Sequence, residues 1–262
     1  MILTYEIVDV KPYINWAYFY FAWQLKDAEQ QHRIREEAET RLSSFEGRYR
    51  VHALFRIVKG HGDGDDIIID QADGSQFTLP LLRQQHGAPC LCLSDFIHPQ
   101  SDRIGLFATS ADAGLENDFN DDPYEKMMAQ LLADRLAEAA AERMHQEVRT
   151  HYWGYAKNEQ LSMEELHSER FQGIRPAVGY PSLPDASLNF LLDELLDMKQ
   201  IGIRLTENGA MHPHASVSGL MISHPDARYF TVGKVGEDQL LDYAHRRAVP
   251  IEMARKFLAA NL

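Results

Sequence analysis

From Tyr124 to about Tyr152, the apolar residues Met127, Leu131, Leu132, Leu136, Ala139, Ala140 and Met144 recur at three- and four-residue steps, with charged positions opposite. That period marks one long amphipathic helix, the longest helical signal in the chain. Strand-like runs lie on both sides of it: Val51–Val58, Ile67–Ile69, Pro89–Phe96, Arg103–Thr109, Gly202–Leu205, Ala215–Ile222 and Tyr229–Val235. Helical runs intervene irregularly, so strands do not alternate one-for-one with helices. That order favours an α+β fold with antiparallel pairing over a doubly wound parallel sheet. With no internal repeat and no low-complexity linker, residues 1–262 read as one domain, long enough to bury its own core.

Shorter signals fill in the outline. Residues 13–25 are crowded with aromatics and read as a largely buried helix or strand. Residues 26–47 read as an amphipathic helix with Ile34, Ala38 and Leu42 on one face. Gly60–Asp66 reads as a hairpin turn, and it lacks the closing glutamate a calcium loop requires. Ser162, with Glu165 three residues on, carries a helix-start signature. Leu188–Met198 reads as an apolar helix and Asp238–Leu262 as a helical pair. Cys90 and Cys92 are spaced for one side of a strand and are too few for a zinc site without further ligands.

Charge and segment length narrow the partners. A formal charge of −13 works against a polyanionic partner, so no nucleic-acid binding is expected. No apolar run reaches membrane-spanning length, and the N-terminus lacks a signal-peptide pattern. The cytoplasm is the expected compartment. Walker A, G-x-S-x-G, H-E-x-x-H and G-x-G-x-x-G signatures are all absent. His212 and His214 could share a strand face, but they lack partner ligands and read as ordinary loop histidines.

One loop stands out chemically. Gly173-Ile174-Arg175-Pro176-Ala177-Val178-Gly179-Tyr180-Pro181 combines a fixed cation, two prolines, glycines and an aromatic. Proline stiffens the backbone, and glycine allows close approach. Arg175 could clamp a carboxylate by charge-assisted bonds, backbone groups near Ala177 and Gly179 could bond the rest of a ligand, and Tyr180 could supply a flat wall. A rigid surface turn with a salt-bridged arginine fits the same composition.

Six motifs in order decide the direction: Ala133–Glu138, Tyr152–Tyr155, Gly173–Pro181, Leu205–Glu207, Ala215–Gly219 and Ser223–Asp226. Together they resemble the C-terminal activation domain of cobalamin-dependent methionine synthase. The likeness runs more thinly upstream through Tyr13–Trp16, Gly64–Asp66 and Leu93–Phe96. It implies a C-shaped, helmet-like α+β domain around a twisted antiparallel sheet, binding S-adenosylmethionine in a shallow groove. It further implies partnership with the cobalamin-binding part of methionine synthase and a flavodoxin-like electron donor. Cobalamin, carried on that partner, would be reductively remethylated, and this chain alone would not form methionine. Carried over by position, the ligand-binding residues are Arg175, Ala177 through its backbone, Tyr180, Tyr229 and Phe230, with Glu138 and Glu169 near the groove. Taken alone, each glutamate reads more simply as part of a solvated helix face.

The sequence departs from the family pattern at several places. Asn15 stands where an aspartate usually pairs with the ligand ammonium, and losing that charge implies weaker binding. Leu183, Ala186 and Asn189 replace a cysteine, a histidine and a lysine, and His212 replaces a tryptophan. Two other readings therefore stand beside a methyl-donor-binding reactivation module. One is a docking protein of the same fold without the ligand, and the other is a reactivator of a different corrinoid methyltransferase.

Overall fold

In the computed structural model, which describes residues Met1–Leu262, a sheet covered on both faces organises the chain. Its strands are β1 (Ile2–Tyr5), β2 (Val51–Asp63), β3 (Asp66–Asp70), β4 (Gln76–Pro80) and β5 (Asp102–Ala111). The two-residue strands β6 (Arg204–Leu205) and β7 (Met211–His212) form a separate hairpin, and β8 (Ser216–Met221) completes the main sheet. The order is β4-β3-β2-β5-β8, all antiparallel, with β1 sharing the β3 side of the long strand β2. Side-chain alternation explains why β5 is apolar along nearly its whole length. Phe107 and Ala111 enter one core, while Ile104, Leu106 and Ala108 enter the other.

The helices are α1 (Ile7–Val10), α2 (Trp16–Ala22), α3 (Ala28–Phe45), α4 (Gly114–Asn117), α5 (Pro123–Glu147), α6 (Met163–His167), α7 (Leu188–Leu196), α8 (Glu237–Arg246) and α9 (Ile251–Phe257). Helix α5 starts where Asp122 accepts the Tyr124 and Glu125 N–H groups, with Pro123 at the first position. It packs across β2, β5 and β8. Ala133, Ala137, Ala140 and Ala141 are all buried, so the helix lies close to the sheet. A larger residue at one of these sites would cost about 1–3 kcal/mol in overpacking. Helices α1, α2 and α3 share that core, while α7 lies over the opposite face. The α8–α9 pair closes a smaller third cluster around Leu240, Tyr243 and Leu258. The result is the α+β architecture, antiparallel sheet and flanking helices, anticipated from the sequence.

Four local expectations need correction. Pro89–Phe96 is not a strand. Its second half is a 3-10 turn, Leu93–Phe96, in which the Asp95 carboxylate accepts the Cys92 N–H. Arg83 donates to the Cys90 carbonyl, consuming an acceptor a ladder would use, and to the Asp95 carboxylate. Cys92 is consequently buried while Cys90 is only half-buried, instead of both facing one side of a strand. Tyr229–Val235 forms no strand either. Phe230 is held at both backbone groups by the Ser182 hydroxyl, and the Val232 N–H donates to the Pro181 carbonyl. The turn after β2 is only Gly64-Asp65, because the strand runs on to Asp63. Finally, the buried stripe of α5 includes Met128, whereas Met127 is 42% exposed.

Candidate functional site

Residues 174–178 lie along the free edge of β8 as a broken extra strand. Ile174 and Ile222 exchange both backbone hydrogen bonds, and further along Leu220 N–H donates to Pro176 O and Val178 N–H to Ser218 O. Pro176 sits where the ladder needs a donor and has none, which explains why only isolated bridges form. Arg175 and Ala177 occupy the alternate positions, so their N–H groups point away from β8. The Arg175 N–H donates to the Tyr229 hydroxyl at 3.0 Å. The Ala177 N–H has no acceptor within the chain. Gly219 makes this approach possible, because a Cβ there would lie 2.1 Å from the Pro176 oxygen and 2.8 Å from the Ala177 Cα. Gly179, with φ +87, then turns the chain so that Tyr180 projects half-exposed.

The Arg175 side chain passes to the helix face of the sheet. Its guanidinium lies over the Phe107 ring, 5.4 Å from the centroid, and donates to Glu142 on α5. Burial works most strongly against this charge, but Glu142, Tyr229 and Glu138 together outweigh it and hold the guanidinium more firmly protonated than usual. The pair is incompletely satisfied: Arg175 Nε and Glu142 Oε2 are both buried without a partner. One helical turn away, Glu138 accepts the Tyr180 hydroxyl at 2.5 Å. Burial raises the Tyr180 phenol, with the neighbouring Glu138 charge adding to it. Burial also lifts Tyr229 to about 12, so both hydroxyls stay protonated and can donate. Glu169, in the left-handed region at φ 56, has its carboxyl raised by burial and then by Glu142.

Helix α2 supplies the facing wall. Asn15 caps it, its carbonyl accepting the Ala17 N–H at 3.2 Å. Phe19 is fully buried, but Tyr18 and Phe21 are 62% and 81% exposed, which corrects the reading of this aromatic run as largely buried. Arg135 of α5 lies 5.8 Å over the Tyr18 ring. Between these walls runs an open groove of about 710 Å³. All eight residues anticipated from the sequence line it: Asn15, Glu138, Glu169, Arg175, Ala177, Tyr180, Tyr229 and Phe230.

Sequence reading missed Glu142, Arg135, Tyr18 and Phe21, which line the same groove. Glu142 is four residues beyond Glu138, so helical spacing alone puts the two on one face. Elsewhere, His212 and His214 have ring centres 6.0 Å apart, and no set of three His, Cys, Asp or Glu residues is placed to hold a metal ion. No helix is long and apolar enough to cross a membrane.

The groove has the makings of a polar small-molecule site. Its volume falls in the range of such sites, its walls are aromatic, and three polar groups around Arg175 lack partners. The family described as "Vitamin B12 dependent methionine synthase, activation domain" matches this sequence over residues 6–248. Among solved structures, a crystal structure of the MetH reactivation domain bound to AdoHcy is similar at a TM-score of 0.93 and 35% identity. That match covers 100% of this chain and 90% of the other.

Proposed function

The chain belongs to the vitamin B12-dependent methionine synthase activation-domain family, and from that premise we propose that its groove binds S-adenosylmethionine for reactivation of a cobalamin-dependent methionine synthase. One observation carries the reading: Ala177 N–H, Arg175 Nε and Glu142 Oε2 lack partners beside one aromatic-walled groove. Buried polar groups without partners are costly, and a zwitterionic ligand end can satisfy both donors and acceptors. The AdoHcy bound to the similar reactivation domain supports a ligand of this chemistry.

In this reading Arg175 binds the ligand carboxylate, Ala177 donates its N–H, and Tyr229 and Phe230 wall one side. Asn15 and Glu169 bond polar groups from the opposite side. Tyr180, tethered to Glu138, stands at the exposed rim where a partner would approach. Cobalamin, carried by the cobalamin-binding part of methionine synthase, would supply the methyl acceptor, and a flavodoxin-like donor would supply the electron that makes it nucleophilic. This chain's contribution is to hold the methyl group in line, which turns an encounter into a positioned reaction. The protein acts as one domain over residues 1–262, in the cytoplasm.

A competing reading, a docking protein without the ligand, draws on Asn15, whose carbonyl is already used in capping α2. Calorimetric titration of the purified chain with S-adenosylmethionine separates them. Saturable heat at one site is expected. No heat and no thermal shift at millimolar ligand would leave only the docking protein.

A further inference from the structure

The charges lining the groove do not balance. Glu138, Glu142 and Glu169 face Arg135 and Arg175, three carboxylates against two guanidinium groups, with His167 the remaining titratable imidazole. Glu142 stands at the centre of this arrangement. It lies on α5 one turn from Glu138, its carboxylate holds Arg175 through one oxygen, and the other oxygen is buried with no donor. The side chain remains 24% exposed on the groove. A ligand carboxylate arriving at Arg175 must share the guanidinium with Glu142. That leaves Glu142 short of counter-charge unless the ligand brings a cation of its own.

S-adenosylmethionine brings two cations, ammonium and sulfonium, against one carboxylate, whereas its demethylated product brings only the ammonium, so the two differ by one positive charge and one methyl group. Both carry the same nucleoside, ammonium and carboxylate. When the methyl group leaves, the S–CH3 bond breaks, its electron pair stays on sulfur, and the methyl bonds to the nucleophilic acceptor. The cationic sulfonium becomes a neutral thioether. We propose that the groove distinguishes methyl donor from spent product by charge, and that Glu142 sets the distinction. The inference rests on the reading of the groove as an S-adenosylmethionine site. It adds a consequence for turnover: transfer removes the cation that the carboxylates hold, so product leaves a groove that still favours fresh donor.

The test compares dissociation constants for S-adenosylmethionine and S-adenosylhomocysteine on wild type, Glu142→Gln and Glu142→Asp. Taking their ratio cancels every effect on the shared carboxylate, ammonium and adenosine ends. Wild type should prefer the sulfonium by about tenfold, the scale of a partly screened charge a few ångström away. Glu142→Gln should reduce the ratio toward one, and Glu142→Asp should keep most of it. Sinefungin, with an ammonium in place of the sulfonium, should follow the donor.

Glu142→Gln also leaves Arg175 without its anion, so the variant could fail to fold. Ionic strength on wild type is then the second arm, and the preference should fall as salt screens the groove. A wild-type ratio near one, a ratio unchanged in Glu142→Gln, or a ratio indifferent to salt overturns the inference while leaving the site standing. Binding of neither compound overturns the site itself.

Discussion

Gly219→Ala tests whether the Arg175 segment is held where it is by contact with β8. The added methyl would start 2.1 Å from the Pro176 oxygen, 2.8 Å from the Ala177 Cα and 2.9 Å from Phe107 Cε1. Two of these neighbours are backbone, so no side-chain rotation relieves the overlap. The segment must move off the strand by about 1 Å, and a hydrogen bond near 3.0 Å does not survive that displacement. The bonds at risk are Val178 N–H to Ser218 O, at 2.9 Å, and Leu220 N–H to Pro176 O, at 3.0 Å. Losing both costs about 2–5 kcal/mol, counting each net bond and the groups left unpaired. Urea unfolding should show that loss, and titration should show weakened S-adenosylmethionine binding because Arg175 and Ala177 move with the segment. Gly179→Ala is the control. Gly179 needs φ +87 but has nothing within 4 Å of an added Cβ, so it should lose only about 1 kcal/mol of backbone strain. Gly219→Ala within about 0.5 kcal/mol of wild type would refute the argument, since an ordinary surface substitution does no more than that.

Two further outcomes follow from single side chains. Asn15→Asp preserves the cap on Ala17 N–H, so stability should hold, while S-adenosylmethionine affinity should rise about fivefold through a charge-assisted bond; unchanged affinity in calorimetry removes Asn15 from the site. Asp134 has its carboxyl raised to about 6 by burial, with Arg135 opposing and Glu116 and Glu138 adding to the rise. A raised acid favours its protonated form in the folded state, so wild type should lose stability relative to Asp134→Asn as pH climbs from about 4 through 6. The gap has a ceiling of about 3 kcal/mol at 1.36 kcal/mol per unit; denaturant midpoints whose difference stays flat across that range would show that Asp134 is not the buried acid described.

The parts of the fold legible in the sequence were those with a long period or a local chemical stop. Helix α5 announced itself through its apolar stripe, and the structure adds the start signal that the stripe does not carry, Asp122 capping the helix with Pro123 at its first position. Ser162 and Glu165 form the anticipated reciprocal cap. Strand β1 and strand β4 were missed because four or five residues carry almost no periodic signal. The strand expected at Tyr229–Val235 failed for a different reason. Its apolar residues are real, and Val232 and Val235 are buried, but a strand needs a neighbour's backbone. Here a single hydroxyl, Ser182, took both Phe230 backbone groups, and no pattern within the segment could disclose that.

The groove divides along the same line. Arg175, Ala177 and Tyr180 lie in one loop whose composition already suggested rigidity and a ligand, so local sequence was enough to single them out. Glu142 could not be found that way, because its importance comes from a partner 33 residues away. An exposed helical glutamate and one that holds a buried guanidinium look identical in sequence. Spacing gives only half the inference, that Glu138 and Glu142 share a face. The other half is Pro176, which breaks the ladder beside β8, and Gly219, which lets the broken segment lie close enough for Arg175 to cross Phe107 and meet α5. A groove-lining cation thus arrives on a strand-like edge while its counter-charge arrives on a helix. The groove exists because those two elements meet over the same stretch of sheet.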